Sequence, residues 1–167
     1  PTYVQLEDLA YNVFKRPLAV FFFPTPPKDL DIKQSFRTLP GGYLESLSPQ
    51  VIKILRKANV NLLNLYEVFD NYNERIEAFN CLKKTAYQSD LSKVITTLRQ
   101  SFNVSLEDQI QWKNEEEAIR IWRQKVENIG IFVFKEAFRD DNISGFCIYD
   151  ENFPIIYLNN SMSKTRQ

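Results

Sequence analysis

Few residues in this 167-residue sequence combine a type that does chemistry with a spacing that would let them do it. Ser161-x-x-Lys164 has the spacing of a nucleophilic serine with a lysine base, but it lies in a polar tail, SMSKTRQ, without partner motifs. Asp140-Asp141 and Asp150-Glu151 could face a hard cation, yet neither has the spacing of a calcium loop, and acids in turns are ordinarily solvated. Glu115-Glu116-Glu117 most simply complements the positive end of a helix. Arg37 and Arg123 are single cations beside apolar residues and read as members of structural ion pairs. Cys81 and Cys147 are too few for a disulfide scaffold or a zinc cluster and read as buried free thiols in a reducing compartment. The N-x-S triplets at Asn103, Asn142 and Asn159 carry no consequence in a cytosolic chain.

The residue types that are missing exclude more. There is no histidine, so Ser-His-Asp, Cys-His and H-E-x-x-H machinery cannot be assembled from this sequence. Gly41, Gly42, Gly130 and Gly145 have no phosphate-cradling spacing. The 21 basic and 21 acidic residues cancel and are spread evenly, so no basic stripe invites nucleic acid. The longest apolar run, 18–23, is too short for a bilayer, which predicts no membrane association and a cytoplasmic location. With 44% hydrophobic residues a chain of this size can bury one real core.

The elements that would position these residues follow from periodicity. Pro1 and Thr2 start a helix with Leu6, Leu9, Ala10 and Val13 on one face, and Pro17 opens a short second helix through the FFF run. PTPPKDLD stops it. An extended piece anchored by Phe36 and Leu39 leads to Pro40-Gly41-Gly42, the best internal boundary. Ser48 and Pro49 then cap a long helix in which Val51, Leu55, Ala58, Leu62, Leu65, Phe69 and Tyr72 recur at heptad steps. That seam, with Leu55, Leu62, Leu65 and Phe69 at its centre, is a candidate dimer seam. The favoured reading is a long helix packed in its own core, since Ile52, Leu63 and Tyr66 widen the stripe beyond a strict seam. The pattern weakens but persists through Ile76, Phe79 and Leu82.

Ser89 or Asp90 caps a further helix carrying Leu91, Val94, Ile95, Leu98 and Phe102, and a short turn fills 106–112. Asn114 with Glu117 opens a helix to about Asn128, which faces inward through Ala118, Ile119, Trp122, Val126 and Ile129 and ends at Gly130. The period then changes to extended in 131–136, 145–150 and 154–159. Short turn-like links between them predict an antiparallel three-stranded meander. The fold class expected is α+β: mostly helical over the N-terminal two-thirds, with a small sheet near the C-terminus.

In this order the motifs resemble a known family. PTYVQLEDLA followed by KRPLAVFFFPTPP is similar to the closing helices of a Cro/repressor-type helix-turn-helix domain. SFRT before a long helix resembles the linker of regulators in which that domain is fused to an ImmA/IrrE-family metallopeptidase. WRQKVENIGIFVF, SGFCIYD and PIIYLNNSMSKTR resemble the run that leads into that family's zinc helix. The resemblance implies that 1–40 are the tail of a helix-turn-helix-like domain plus linker. It implies that 41–167 are a helical region and the first part of a metallopeptidase-like domain.

The parent would bind an operator and use zinc to cleave a repressor-type protein substrate. This chain would be a middle segment, inactive as given, with no catalytic, metal or cofactor residue of its own. DNA, zinc and the repressor are expected partners of the parent alone. The strand formed by Ile155, Ile156, Tyr157 and Leu158 is the candidate for pairing with an extended substrate or partner peptide, at the rim of a groove, against the favoured and simpler reading of an ordinary core strand. Loss of the zinc helix should uncover some of Phe132, Phe134, Phe146, Ile148 and Ile156 and either promote self-association through this face or leave residues 150–167 mobile. A dimerising module of a DNA-binding regulator, or an unrelated α+β binding domain, are the alternatives.

Overall fold

The computed structural model describes residues 2–26, 47–83 and 90–163. The start at Pro1, the anchors Phe36 and Leu39, the boundary at Pro40-Gly41-Gly42, the SFRT motif with Arg37, the cap at Ser89, and Lys164 lie outside the described residues.

Helix α1 spans Tyr3–Asp8 and is capped by Thr2, whose side chain accepts from the Gln5 amide while the Gln5 side chain accepts from the Thr2 amide. It continues as a wider turn, Leu9–Val13, in which the Phe14 amide reaches the Leu9 carbonyl. Lys15, left-handed at φ 50°, ends it. Pro17 is not the first residue of the next piece. It stands before a 3-10 turn, Leu18–Phe22, with its own backbone extended.

Helix α2, Pro49–Val68, starts as its sequence predicts, with the Ser48 hydroxyl on the Val51 amide and Pro49 in the first turn. It ends before the heptad pattern does. Asp70 and Asn71 are both left-handed, at φ 49° and 63°, a conformation these two residue types tolerate better than most. The chain therefore turns, and a separate helix α3 runs over Ile76–Lys83.

Helix α4, Leu91–Phe102, is capped by Asp90 and closed by Asn103 in the left-handed region. Its apolar face is not buried: Leu91 is 72% exposed and Ile95 46%. A short α5, Leu106–Ile110, carries a Ser105–Asp108 capping box. Helix α6, Glu115–Asn128, is opened by Asn114 on the Glu117 amide, while Glu117 returns to the amide of Lys113. Trp122 packs edge-on against Phe102 and Trp112, which ties α4 to α6. No helix among the described residues is long and apolar enough to cross a membrane.

The sheet comprises β1 (Phe132–Glu136), β2 (Gly145–Ile148) and β3 (Ile155–Asn159). The fold is α+β, as the periodicity predicts, but the sheet is mixed rather than an antiparallel meander. Its order is β1-β3-β2, with β1 parallel and β2 antiparallel to β3. The cause is the segment read as a simple turn between the first two strands. It places Phe138 (0% exposed) and Ile143 (3%) in the core, so the chain crosses past the position of β3 before β2 begins. Only the β2–β3 link is a true hairpin connection. There the Asp150 carboxylate accepts from the amides of Asn152 and Phe153 and from the Tyr66 hydroxyl, and Phe153 is driven inside.

Register assigns the faces. Phe132, Phe134, Phe146, Ile148, Ile155 and Tyr157 share the inner face, against which α2 lays Val51, Ile54, Leu55, Ala58 and Leu65. Each fully buried aliphatic here is worth about 1.5–3 kcal/mol of transfer free energy. Lys57 of α2 pairs with Glu136 at the end of β1, a part-exposed contact worth at most about 1 kcal/mol. The opposite, outer face carries Val133, Cys147, Ile156 and Leu158 and is approached by α6.

Candidate functional site

Strand β3 is where the sequence placed a peptide-pairing edge, and the topology overturns that expectation. Ile155, Ile156, Tyr157 and Leu158 form the central strand, paired to β1 on one side and β2 on the other. Strand addition needs unpaired backbone on an edge, and this strand has none left to offer. Its side chains divide by parity: Ile155 (1% exposed) and Tyr157 (1%) face α2, while Ile156 and Leu158 are half-buried on the outer face. The expected uncovering of the sheet does not extend to β2. Phe146 (5%) and Ile148 (8%) are covered by α2, and Phe132, Phe134 and Ile156 are half-buried.

The residues proposed as a dimer seam are largely consumed within the chain. Leu55 and Leu65 are 2% and 9% exposed in the core, Leu62 is half-buried against it, and Phe69 is 44% exposed at the helix end. The outer face of the sheet is more open. Ile119, Trp122 and Val126 of α6 stand opposite Val133, Ile156 and Leu158 across an apolar groove of about 210 Å³, with Arg123 at its edge. Arg123 is held by Glu127 one turn on, the bland ion pair its surroundings suggest.

Two side chains have buried polar roles that the sequence reading did not assign. The first is Asn159, fully buried at the end of β3. Its Oδ1 accepts from the Phe138 amide at 3.1 Å, the Ser161 amide at 3.0 Å and the Ser161 hydroxyl at 2.5 Å. Its Nδ2 donates to the carbonyls of Asp140 at 3.0 Å and Ile143 at 2.8 Å. A single amide thus satisfies both loops at this end of the sheet. The available signal was parity: Asn159 has the inward phase of Ile155 and Tyr157, and an inward polar residue must find partners. The second is Tyr157, whose hydroxyl accepts from Asn61 of α2 at 2.6 Å.

Burial pushes the Tyr157 hydroxyl above its ordinary value of 10.0, an effect that outweighs the opposing bond from Asn61. Tyr66 is raised as well, first by burial and then by its bond to Asp150. A group that holds its proton more tightly when folded contributes stability that is complete below the unfolded value, about pH 10, and is lost as pH rises through the folded one. Urea midpoints should therefore fall as pH is raised above about 10. Tyr157→Phe should lose less stability over that rise than the parent chain does.

The chemistry-bearing motifs are placed in structural roles. Ser161 donates its hydroxyl proton to Asn159 and accepts from the Arg139 amide, so its oxygen closes a turn. Asp140 holds the Asn142 amide and side chain. Asp150 organises the β2–β3 turn. Glu117 belongs to the α6 cap. Cys147 is not the buried thiol expected. It lies exposed on the outer face beside Ile156, with its thiol pushed up by partial burial. Among the described residues, no three of His, Cys, Asp or Glu gather closely enough to hold a metal ion.

The fold and these contacts define an α+β domain with a mixed three-stranded sheet between a long helix and a shorter one. No protein-family model, curated protein or solved structure matches the chain.

Proposed function

We propose that this chain is the connecting and sheet-forming segment of a transcriptional regulator that carries an ImmA/IrrE-like zinc peptidase domain. The observation that carries this reading is the continuity of the three most specific stretches. WRQKVENIGIFVF forms the end of α6 and β1, SGFCIYD forms β2, and PIIYLNN forms the central β3, so the motifs make one packed helix-and-sheet unit. Zinc is implied by the resemblance, but the residues present do not fit it: the sequence has no histidine, and the described acids and Cys147 are dispersed. The role assigned here is therefore support. Helix α2 and the Asn159 network hold the sheet and aim the chain that leaves β3.

The test begins with the coding sequence that adjoins Gln167. An H-E-x-x-H helix within a few residues is the expected finding, and its absence removes the reading. A protein extended through that helix should hold one zinc per chain after dialysis, whereas the 167-residue chain should hold none. The same chain should show no submicromolar, sequence-dependent DNA binding at physiological salt, because its charge is balanced. Stoichiometric zinc or tight DNA binding by the chain alone would contradict the assignment.

A further inference from the structure

A cavity of about 650 Å³ opens between the turn that follows α2, the Glu127 end of α6 and the start of β1. That volume falls in the range of small-ligand pockets, roughly 300–1,000 Å³. Its walls are aromatic and braced. The rings of Phe69 and Phe132 meet edge-on at 5.4 Å, and each rests 6.0 Å from the fully buried Phe153, so neither can fold inward to close the space. Phe69 nonetheless stays 44% exposed and Tyr72, on the same wall, 67%.

The backbone around the cavity is pinned. Asn73, 6% exposed, donates to the carbonyls of Gly130 and Asn152 at 2.9 and 2.7 Å and accepts from the Arg75 amide at 3.1 Å. Gly130 is left-handed at φ 90°, and a Cβ there would press on the Arg75 carbonyl carbon at 2.9 Å. The two walls are therefore locked at contact distance, and the cavity is preformed.

Charge selects the ligand. Asp70, Glu74 and Glu127 line the cavity against one cation, Arg75. Glu127 is already paired with Arg123, whereas Asp70 and Glu74 enter no ion pair among the described residues. Part-exposed aromatic rings beside carboxylates without an ion pair suit a cation with an apolar body, attracted by the rings and by the acids together. A bare metal ion does not fit, since no ligand cluster forms. We propose that this cavity binds a small substituted-ammonium compound, with its alkyl groups on Phe69, Tyr72 and Phe132 and its charge toward Asp70 and Glu74.

The test is an NMR titration of the full chain at low salt with choline and with its neutral isostere, 3,3-dimethylbutan-1-ol. Choline should shift the resonances of Phe69, Tyr72 and Phe132 along a saturable curve in the millimolar range or tighter. The alcohol should bind about tenfold more weakly. Tyr72→Ala and Glu74→Gln, both exposed substitutions, should weaken choline severalfold with an unchanged thermal midpoint. No saturable shift with choline overturns the proposal. So does equal binding of the alcohol, and so does choline binding that neither variant weakens.

Discussion

Asn159→Ala should lower the free energy of unfolding by about 3–5 kcal/mol, because the loss is one of satisfaction rather than of volume. The amide is fully buried and makes five hydrogen bonds to four residues. Ser161 and Asp140, near the surface, can turn to water once it is gone. The Phe138 amide and the Ile143 carbonyl cannot, since their bonds to Asn159 are buried, and each stranded group costs about 1–3 kcal/mol. Ser161→Ala removes one partner and leaves the rest, so its effect should stay near 1 kcal/mol. Urea unfolding of both variants, with hydrogen exchange over 137–144, is the measurement. A loss under about 1 kcal/mol for Asn159→Ala would show that the two loops are held by something else.

The second large effect is expected at Leu55, and it separates the two readings of the α2 seam. Leu55 is 2% exposed and packs in the cluster that includes Phe146, Phe153 and Tyr157. Leu55→Ala should cost about 2–5 kcal/mol, the range for a buried leucine that leaves a cavity. Leu63, on the same helix but 68% exposed, should change stability by no more than about 0.5 kcal/mol when replaced by alanine. If Leu55 packs within its own chain, its cost should not depend on protein concentration, whereas a dimer seam would couple stability to concentration. Thermal scans over a hundredfold range of concentration decide this. A midpoint that rises with concentration in the parent, and ceases to do so in Leu55→Ala, would restore the seam as an interface.

The sheet shows how far local pattern reaches. Each strand was readable from its own residues, but the inward phase of β3 was not: Ile156, grouped by the sequence with Phe132, Phe134, Phe146 and Ile148, lies on the opposite face. Strand order was not readable. The links 137–144 and 149–154 both look like turns, and only the burial of Phe138 and Ile143 makes the first a crossing rather than a hairpin. One error in strand order then produced another, since a strand placed at the rim was credited with a free edge that its central position removes.

Helix starts were determined locally. Thr2, Ser48, Asp90, Ser105 and Asn114 each cap the helix they precede, because a capping side chain answers amides only two or three residues away. The end of α2 was not, since heptad spacing continues through Phe69 and Tyr72 while the backbone turns at Asp70 and Asn71. The apolar face of α4 was equally visible, but periodicity says which residues share a face and not whether anything covers it: Leu91 and Ile95 remain exposed.

The sequence by itself determined the helical and extended segments and the caps, which depend on residues within one or two turns of each other, and its composition excluded histidine chemistry. Tertiary structure alone decided that β3 is central, that α2 spends Leu55 and Leu65 on its own sheet, that Asn159 serves two loops, and that Phe69, Tyr72 and Phe132 line one cavity. Those facts join residues tens of positions apart, whose meeting is set by how the whole core closes.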